Sequence, residues 1–206
     1  MCYYISLLSE AQELEHHYGA ELKTPYMKGY RISGFASPLL PTVLDTDLNT
    51  ITLAEWGLIP HWAKNRDFQK NTINARIETL ETLPSFRDAA TQRCLIPING
   101  FFEWQWQDEK GKVKKPFLIT LENQPIFSLG GIFSRWKDPS TGKEELTLSV
   151  VTTEANPLMA EIHNTKKRMP VILSKKVERD WLDDTKLEDF AFPNYSADLI
   201  AQEIEK

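Results

Sequence analysis

Between Cys94 and Val151 the chain passes through short apolar or alternating stretches broken by turn chemistry, a pattern that commits it to an antiparallel β core. CLIPI (94–98) is continuously apolar and FFEWQW (101–106) alternates. DEKG (108–111) supplies a turn before FLITL (117–121), and IFSLGGIF (126–133) meets ELTLSVVTT (145–153) across DPSTGK (138–143). These gaps are too short for the crossover helices that parallel neighbours need.

The flanks add helices and a few more strands. Ser9 to Leu22 is predicted as a helix, with Ser9 and Gln12 at capping-box spacing and Ala11, Leu14, Tyr18 and Leu22 on one stripe. ITLAEWGLI (51–59) is predicted as a strand, and Pro60 opens a polar, aromatic loop. Residues 84–91 suggest a short helix, 156–162 a helical turn and MPVIL (169–173) a strand. Helices are predicted near 174–183 and 196–205, each opened by a serine. The expected fold is α+β: a single domain over residues 1–206, its mostly antiparallel, barrel-like β-sheet core flanked by helices, with no βαβ alternation.

Composition narrows the setting. Ten Phe and six Trp in 206 residues are enough for one core. No apolar run approaches the roughly 20 residues that span a bilayer. The opening MCYYISLLSEAQ lacks a basic segment and a cleavage site, so a cytoplasmic protein is expected. Cys2 and Cys94 are then expected to stay reduced, Cys94 as a buried, inert thiol, and no zinc-ligand spacing is present. Residues 61–120 carry 10 Lys/Arg against 7 Asp/Glu, whereas residues 176–206 carry 4 against 9. A basic middle suits phosphate binding where the charges cluster, and the acidic C-terminal tail is expected to face away from it.

Four segments can carry chemistry. Initiator methionine is normally removed before a side chain as small as Cys2, and removal exposes a 1,2-aminothiol. An α-amine titrates near about 8 and a free thiol near about 8.5, so both are partly nucleophilic around neutrality. The amine condenses with an aldehyde to an imine, and the thiol closes a five-membered thiazolidine. An incidental, frayed residue 2 is the plainer reading of position alone. In NTINARIET (71–79), Asn74 and Arg76 share one face of an extended segment and suit a sugar or phosphate oxygen. A structural Asn with an Arg76–Glu78 ion pair fits as well. In RCLIPINGFFEW (93–104), Glu103 lies among aromatics, where a carboxyl serves as general acid, or it is an exposed sheet residue. Alternation places Phe101, Glu103 and Gln105 on one face and Phe102, Trp104 and Trp106 on the other. In EIHNTKKRMPVIL (161–173), His163 is suited to proton transfer or simply ends a helix.

In this order, Cys2 after Met1, WGLIPHWA (56–63), NARIET (74–79), RCLIPINGFFEW, GGIF (130–133), Ile162-His163 and RMPVIL (168–173) resemble the SRAP family of abasic-site processing proteins, which includes bacterial SOS-response-associated peptidase-like proteins. The resemblance covers nearly the whole chain. It implies a lyase-like DNA–protein crosslinking enzyme of the DNA damage response. Its N-terminal Cys captures the abasic-site aldehyde of single-stranded DNA as a thiazolidine. By position, Cys2 is the nucleophile and Asn74 binds the sugar or the Cys2 terminus. Glu103 shuttles the proton, and His163 assists. Arg76 and Arg168 hold phosphates, and Trp62 and Pro41 wedge or stack against bases. The resemblance further implies a monomer with no cofactor, metal, membrane or obligate protein partner, associated with the nucleoid when DNA is damaged. Two departures stand out: Tyr3-Tyr4 replaces the family's Gly-Arg, and HNTKKR sets His163 three residues further from Arg168, with Lys166 and Lys167 available as phosphate ligands. A Cys2-dependent peptidase or N-terminal hydrolase, with His163 as base, is the first alternative. A non-catalytic single-strand binder is the second.

Overall fold

The computed structural model describes residues 1–183 and 185–205, and the strands expected between Cys94 and Val151 all form in it. In chain order the elements are β1 (Tyr4–Leu7), α1 (Ala11–Tyr18), β2 (Glu21–Leu22), β3 (Gly29–Ser33), β4 (Leu39–Leu44), β5 (Asp47–Trp56), β6 (Asn74–Arg76), β7 (Arg93–Ile98), β8 (Gly100–Trp106), β9 (Lys114–Leu121), β10 (Phe127–Lys137), β11 (Glu144–Glu154), α2 (Pro157–Ile162), β12 (Arg168–Pro170), β13 (Ile172–Leu173), α3 (Glu178–Leu182) and β14 (Leu199–Glu203). One sheet runs β14-β9-β8-β1-β3; the other runs β12-β11-β10-β7-β4-β5-β2, with β13 on β10 and β6 on β11.

Pairing is mostly antiparallel, but β11 also pairs in parallel with β5 and β6, and β2 with β5. The β11–β5 contact closes β11, β10, β7, β4 and β5 into a ring, the barrel that the sequence pattern implies. Between ring and second sheet lies a core of Cys2, Ile5, Trp56, Ile96, Phe101 and Leu148. Three buried tryptophans satisfy their indole N–H groups on main-chain oxygens: Trp56 on Ile73 (2.9 Å), Trp136 on Ala63 (2.7 Å) and Trp181 on Cys94 (3.0 Å). No helix among the described residues is long and apolar enough to cross a membrane.

Three expectations are corrected. The first helix begins at Ala11, capped by a Glu10/Glu13 box, and ends at Gly19 in the left-handed region (φ 64°). Ser9 is unavailable as the cap because its amide and hydroxyl both donate to Asn99 Oδ1. Residues 84–91 give only a single 3-10 turn, Arg87–Ala89. Residues 196–205 hold the strand β14 rather than a helix. Its Leu199 and Ala201 pack on the core while it pairs with β9 from Leu199↔Leu121 to Glu203↔Phe117. An open sheet edge outweighs local helix propensity there.

Away from the ring interior, α1 and α3 are joined by a buried polar cluster. His17 Nε2 lies 2.9 Å from Glu178 Oε1, Ser128 Oγ donates to the same oxygen at 2.7 Å, and Lys175 completes an ion pair at 3.3 Å. Burial pushes the Glu178 carboxyl up, but the His17 and Ser128 hydrogen bonds and the nearby cations outweigh it, so it titrates below its ordinary 4.5. A depressed folded-state value means stability that is full above about 4.5 and is lost as pH falls below it. Glu178→Gln is therefore expected to flatten the acid limb of the melting temperature between about pH 3 and 5. An unchanged acid limb would show that the cluster is not linked to folding.

Candidate active site

The register of β1 on β8, with Ile5 opposite Phe101, carries the N-terminus past Glu103. Phe101 and Glu103 are buried, but so is Phe102, and Trp104, Gln105 and Trp106 are all partly exposed, so burial falls off along the strand instead of alternating as the pattern predicts. The parallel pairing of β6 on β11 brings Asn74 to the same place, and His163 caps the C-terminus of α2 there. Three separate segments, β8, β6 and the end of α2, thus converge on residues 1 and 2.

The α-amine of Met1 lies 3.3 Å from Glu103 Oε2 and 3.2 Å from His163 Nε2. Burial lowers the amine's pKa, with Glu103 partly opposing. Glu103 is itself buried, and its Oε1 accepts the Trp104 amide at 3.1 Å. His163 Nδ1 lies 2.8 Å from the Arg168 carbonyl oxygen and 3.1 Å from its amide nitrogen. An Nδ1–H donated to the nearer carbonyl leaves Nε2 as the acceptor that faces the amine. Burial lowers the His163 pKa from its ordinary 6.5, which favours the neutral ring.

Cys2 is fully buried, and Asn74 Nδ2 donates to its carbonyl at 2.9 Å. Asn74 Oδ1 is buried with no partner among the described residues, an acceptor left open at the site. Burial, reinforced by the Glu103 charge, pushes the Cys2 thiol up to about 12 although the neighbouring amine pulls it down. With Met1 attached, the thiol is therefore a protonated S–H, and the expectation of a partly ionised thiol does not hold in this form. Cys94 is also fully buried and its thiol lies well above the ordinary range, in keeping with an inert role.

The longer spacing from His163 to Arg168 is absorbed locally. The Lys167 amide donates to the His163 carbonyl at 2.9 Å, and Lys167 takes a left-handed φ of 48°, so the chain loops out and returns Arg168 beside His163. Lys166 and Lys167 are exposed and line a groove of about 400 Å³ with Arg76, Glu154, Ala155 and Arg168.

Two expected DNA ligands are placed otherwise. Pro41 is buried in β4 opposite Leu53, where its ring cannot meet a base. Arg168 is only 6% exposed, and its guanidinium forms a two-pronged pair with Glu78 at 2.7 and 3.0 Å and donates to the Thr152 carbonyl at 2.8 Å. It braces the wall rather than standing free for phosphate, and it takes the Glu78 carboxylate that the alternative reading paired with Arg76. Arg76 is exposed, and Trp62 is 45% exposed with its ring edge-on to Phe68 at 5.2 Å.

The sequence pattern did not reveal Phe35. The turn Gly34–Ala36 is tied to the residue before β1 by the Gly34 amide donating to the Tyr3 carbonyl at 2.8 Å, and Phe35 stacks on the Tyr3 ring at 4.9 Å. A Cβ on Gly34 would lie 3.0 Å from Ile73 and 3.1 Å from the Trp56 ring, so a larger residue here would need those side chains to give way by a few tenths of an ångström. A glycine-aromatic pair after β3 was the available signal.

The profile described as SOS response associated peptidase (SRAP) matches residues 1–205. A Bacillus subtilis (strain 168) protein named abasic site processing protein YoqW is 35% identical over 187 residues, covering 89% of this chain and 80% of that protein. A second from the same strain, abasic site processing protein YobE, is 30% identical over 213 residues, covering 99% and 94%. A crystal structure of a Bacteroides thetaiotaomicron protein superposes with a TM-score of 0.89 at 31% identity, over 99% of this chain and 92% of that one.

Proposed function

The chain belongs to the SRAP family, and on that premise we propose that it is an abasic-site processing protein in which Cys2 captures the aldehyde of an abasic sugar in single-stranded DNA as a thiazolidine. One observation supports this above the others. The α-amine of Met1 is held against Glu103 and His163, one residue from the fully buried Cys2. Hydrolysis of the Met1–Cys2 peptide bond, which consumes one water, hands the terminal amine to Cys2.

The amine leads, because imine formation creates the electrophilic carbon to which the sulfur adds. The neutral amine adds to the aldehyde carbon, and Glu103 takes a proton from nitrogen and returns it to the departing hydroxyl. Water leaves and the imine remains. The sulfur then adds to the imine carbon, and His163 carries the S–H proton towards nitrogen. The sum is aldehyde plus aminothiol giving thiazolidine plus one water. Asn74 fixes the Cys2 carbonyl and offers its open Oδ1 to a sugar hydroxyl or the new amine. Arg76, Lys166 and Lys167 draw in the phosphates beside the lesion, and Trp62 stacks on a base. Residues 1–206 act as one domain.

The test is mass spectrometry of the purified protein, before and after incubation with an oligonucleotide carrying one abasic site. We expect a chain lighter by one methionine residue, then a denaturant-stable adduct equal to protein plus DNA minus one water. A retained Met1, or no adduct from a chain that has lost it, would overturn the proposal.

A further inference from the structure

One aromatic surface at the mouth of the site is not used by the chemistry above. Tyr3 follows Cys2 directly, and its hydroxyl lies 3.8 Å from Met1 Sδ, within the space that the first residue fills. The Tyr3 and Phe35 rings are stacked with centroids 4.9 Å apart and planes 24° from parallel. Phe35 has one face against Tyr3, yet it stays 53% exposed. The pair is held firmly: the Gly34 amide bonds to Tyr3, the Phe35 amide donates to Ser33 Oγ at 3.3 Å, and Gly34 is pressed on Trp56.

We propose that Tyr3 and Phe35 form a stacking platform that takes the nucleobase next to the reacting sugar and favours a purine there. This rests on the reading that the site takes abasic single-stranded DNA. A flat, outward aromatic face offers no hydrogen bonds, so it discriminates by stacking area, and purines have more of it. A base beside an abasic sugar has also lost one stacking neighbour, so its face is available with little unstacking cost. The backing ring matters as much as the outer one. Tyr3 fixes the plane of Phe35 and ties it to the residue that reacts.

Two measurements test this. Adduct rates at sub-saturating protein are compared for abasic oligonucleotides that differ only in the flanking bases. A purine on one side is expected to react roughly 3- to 10-fold faster than a pyrimidine, and both Phe35→Ala and Tyr3→Leu to abolish the difference. The second uses 2-aminopurine beside a tetrahydrofuran spacer, which has no aldehyde and cannot crosslink. Binding is expected to quench its fluorescence with wild type and not with Phe35→Ala. Melting of the variant controls for folding, since this exposed ring fills no core space. Flank-independent rates, or a preference that survives Phe35→Ala, would overturn the platform. Phe35-dependent quenching without any adduct would keep the platform and sink the crosslinking reading. Adducts with no dependence on Phe35 in either assay would do the reverse.

Discussion

Cys2→Ser is expected to yield a DNA adduct that survives denaturation only after borohydride reduction, whereas wild type needs no reductant. Serine keeps the second side chain small, so Met1 removal and the terminal amine are retained. The amine still condenses with the aldehyde. What is lost is the sulfur that closes the ring, and an imine alone hydrolyses. The comparison separates the two reactive groups on one residue, which Cys2→Ala does not. Denaturing gels with and without borohydride read it directly. A Cys2→Ser adduct as durable as that of wild type would mean that sulfur is dispensable. A wild-type adduct that needs reduction would mean that the thiol never engages, as its burial and raised pKa in the Met1-bearing chain would then suggest.

Glu103→Gln is expected to slow adduct formation by about 10²–10⁴-fold, the range for a positioned general acid–base. Affinity for undamaged single-stranded DNA should stay within about twofold, because this buried carboxylate faces the amine and not the basic groove. The substitution keeps shape and the acceptor for the Trp104 amide. His163 cannot take over in full: burial disfavours its protonated form, so it seldom holds the extra proton that a general acid donates. Single-turnover rates across pH 5–8 check this. Equal losses of rate and binding would assign Glu103 a structural role instead.

The β core was legible because alternation and turn chemistry report directly on strands, as FFEWQW and DPSTGK did. The error at 196–205 arose where local signals were helical and a sheet edge decided otherwise. In the site, Cys2, Asn74, Glu103 and His163 could be named from motifs and do converge. Pro41 and Arg168 could not be judged that way, since nothing local shows that β4 buries Pro41 or that Glu78 occupies the Arg168 fork. Phe35 escaped for the same reason: its meaning depends on Tyr3, thirty-two positions away in sequence and stacked against it in space.

The enclosed amine has a practical corollary for anyone producing this protein. An affinity tag fused ahead of Met1 would thread a peptide through the space between Glu103 and His163, and would deny Cys2 the free amine that the proposed chemistry needs. Purification handles belong at the other terminus, where β14 lies along the outside of β9. On the proposed chemistry, a preparation carrying an uncleaved leader would form no adduct for reasons unrelated to its fold.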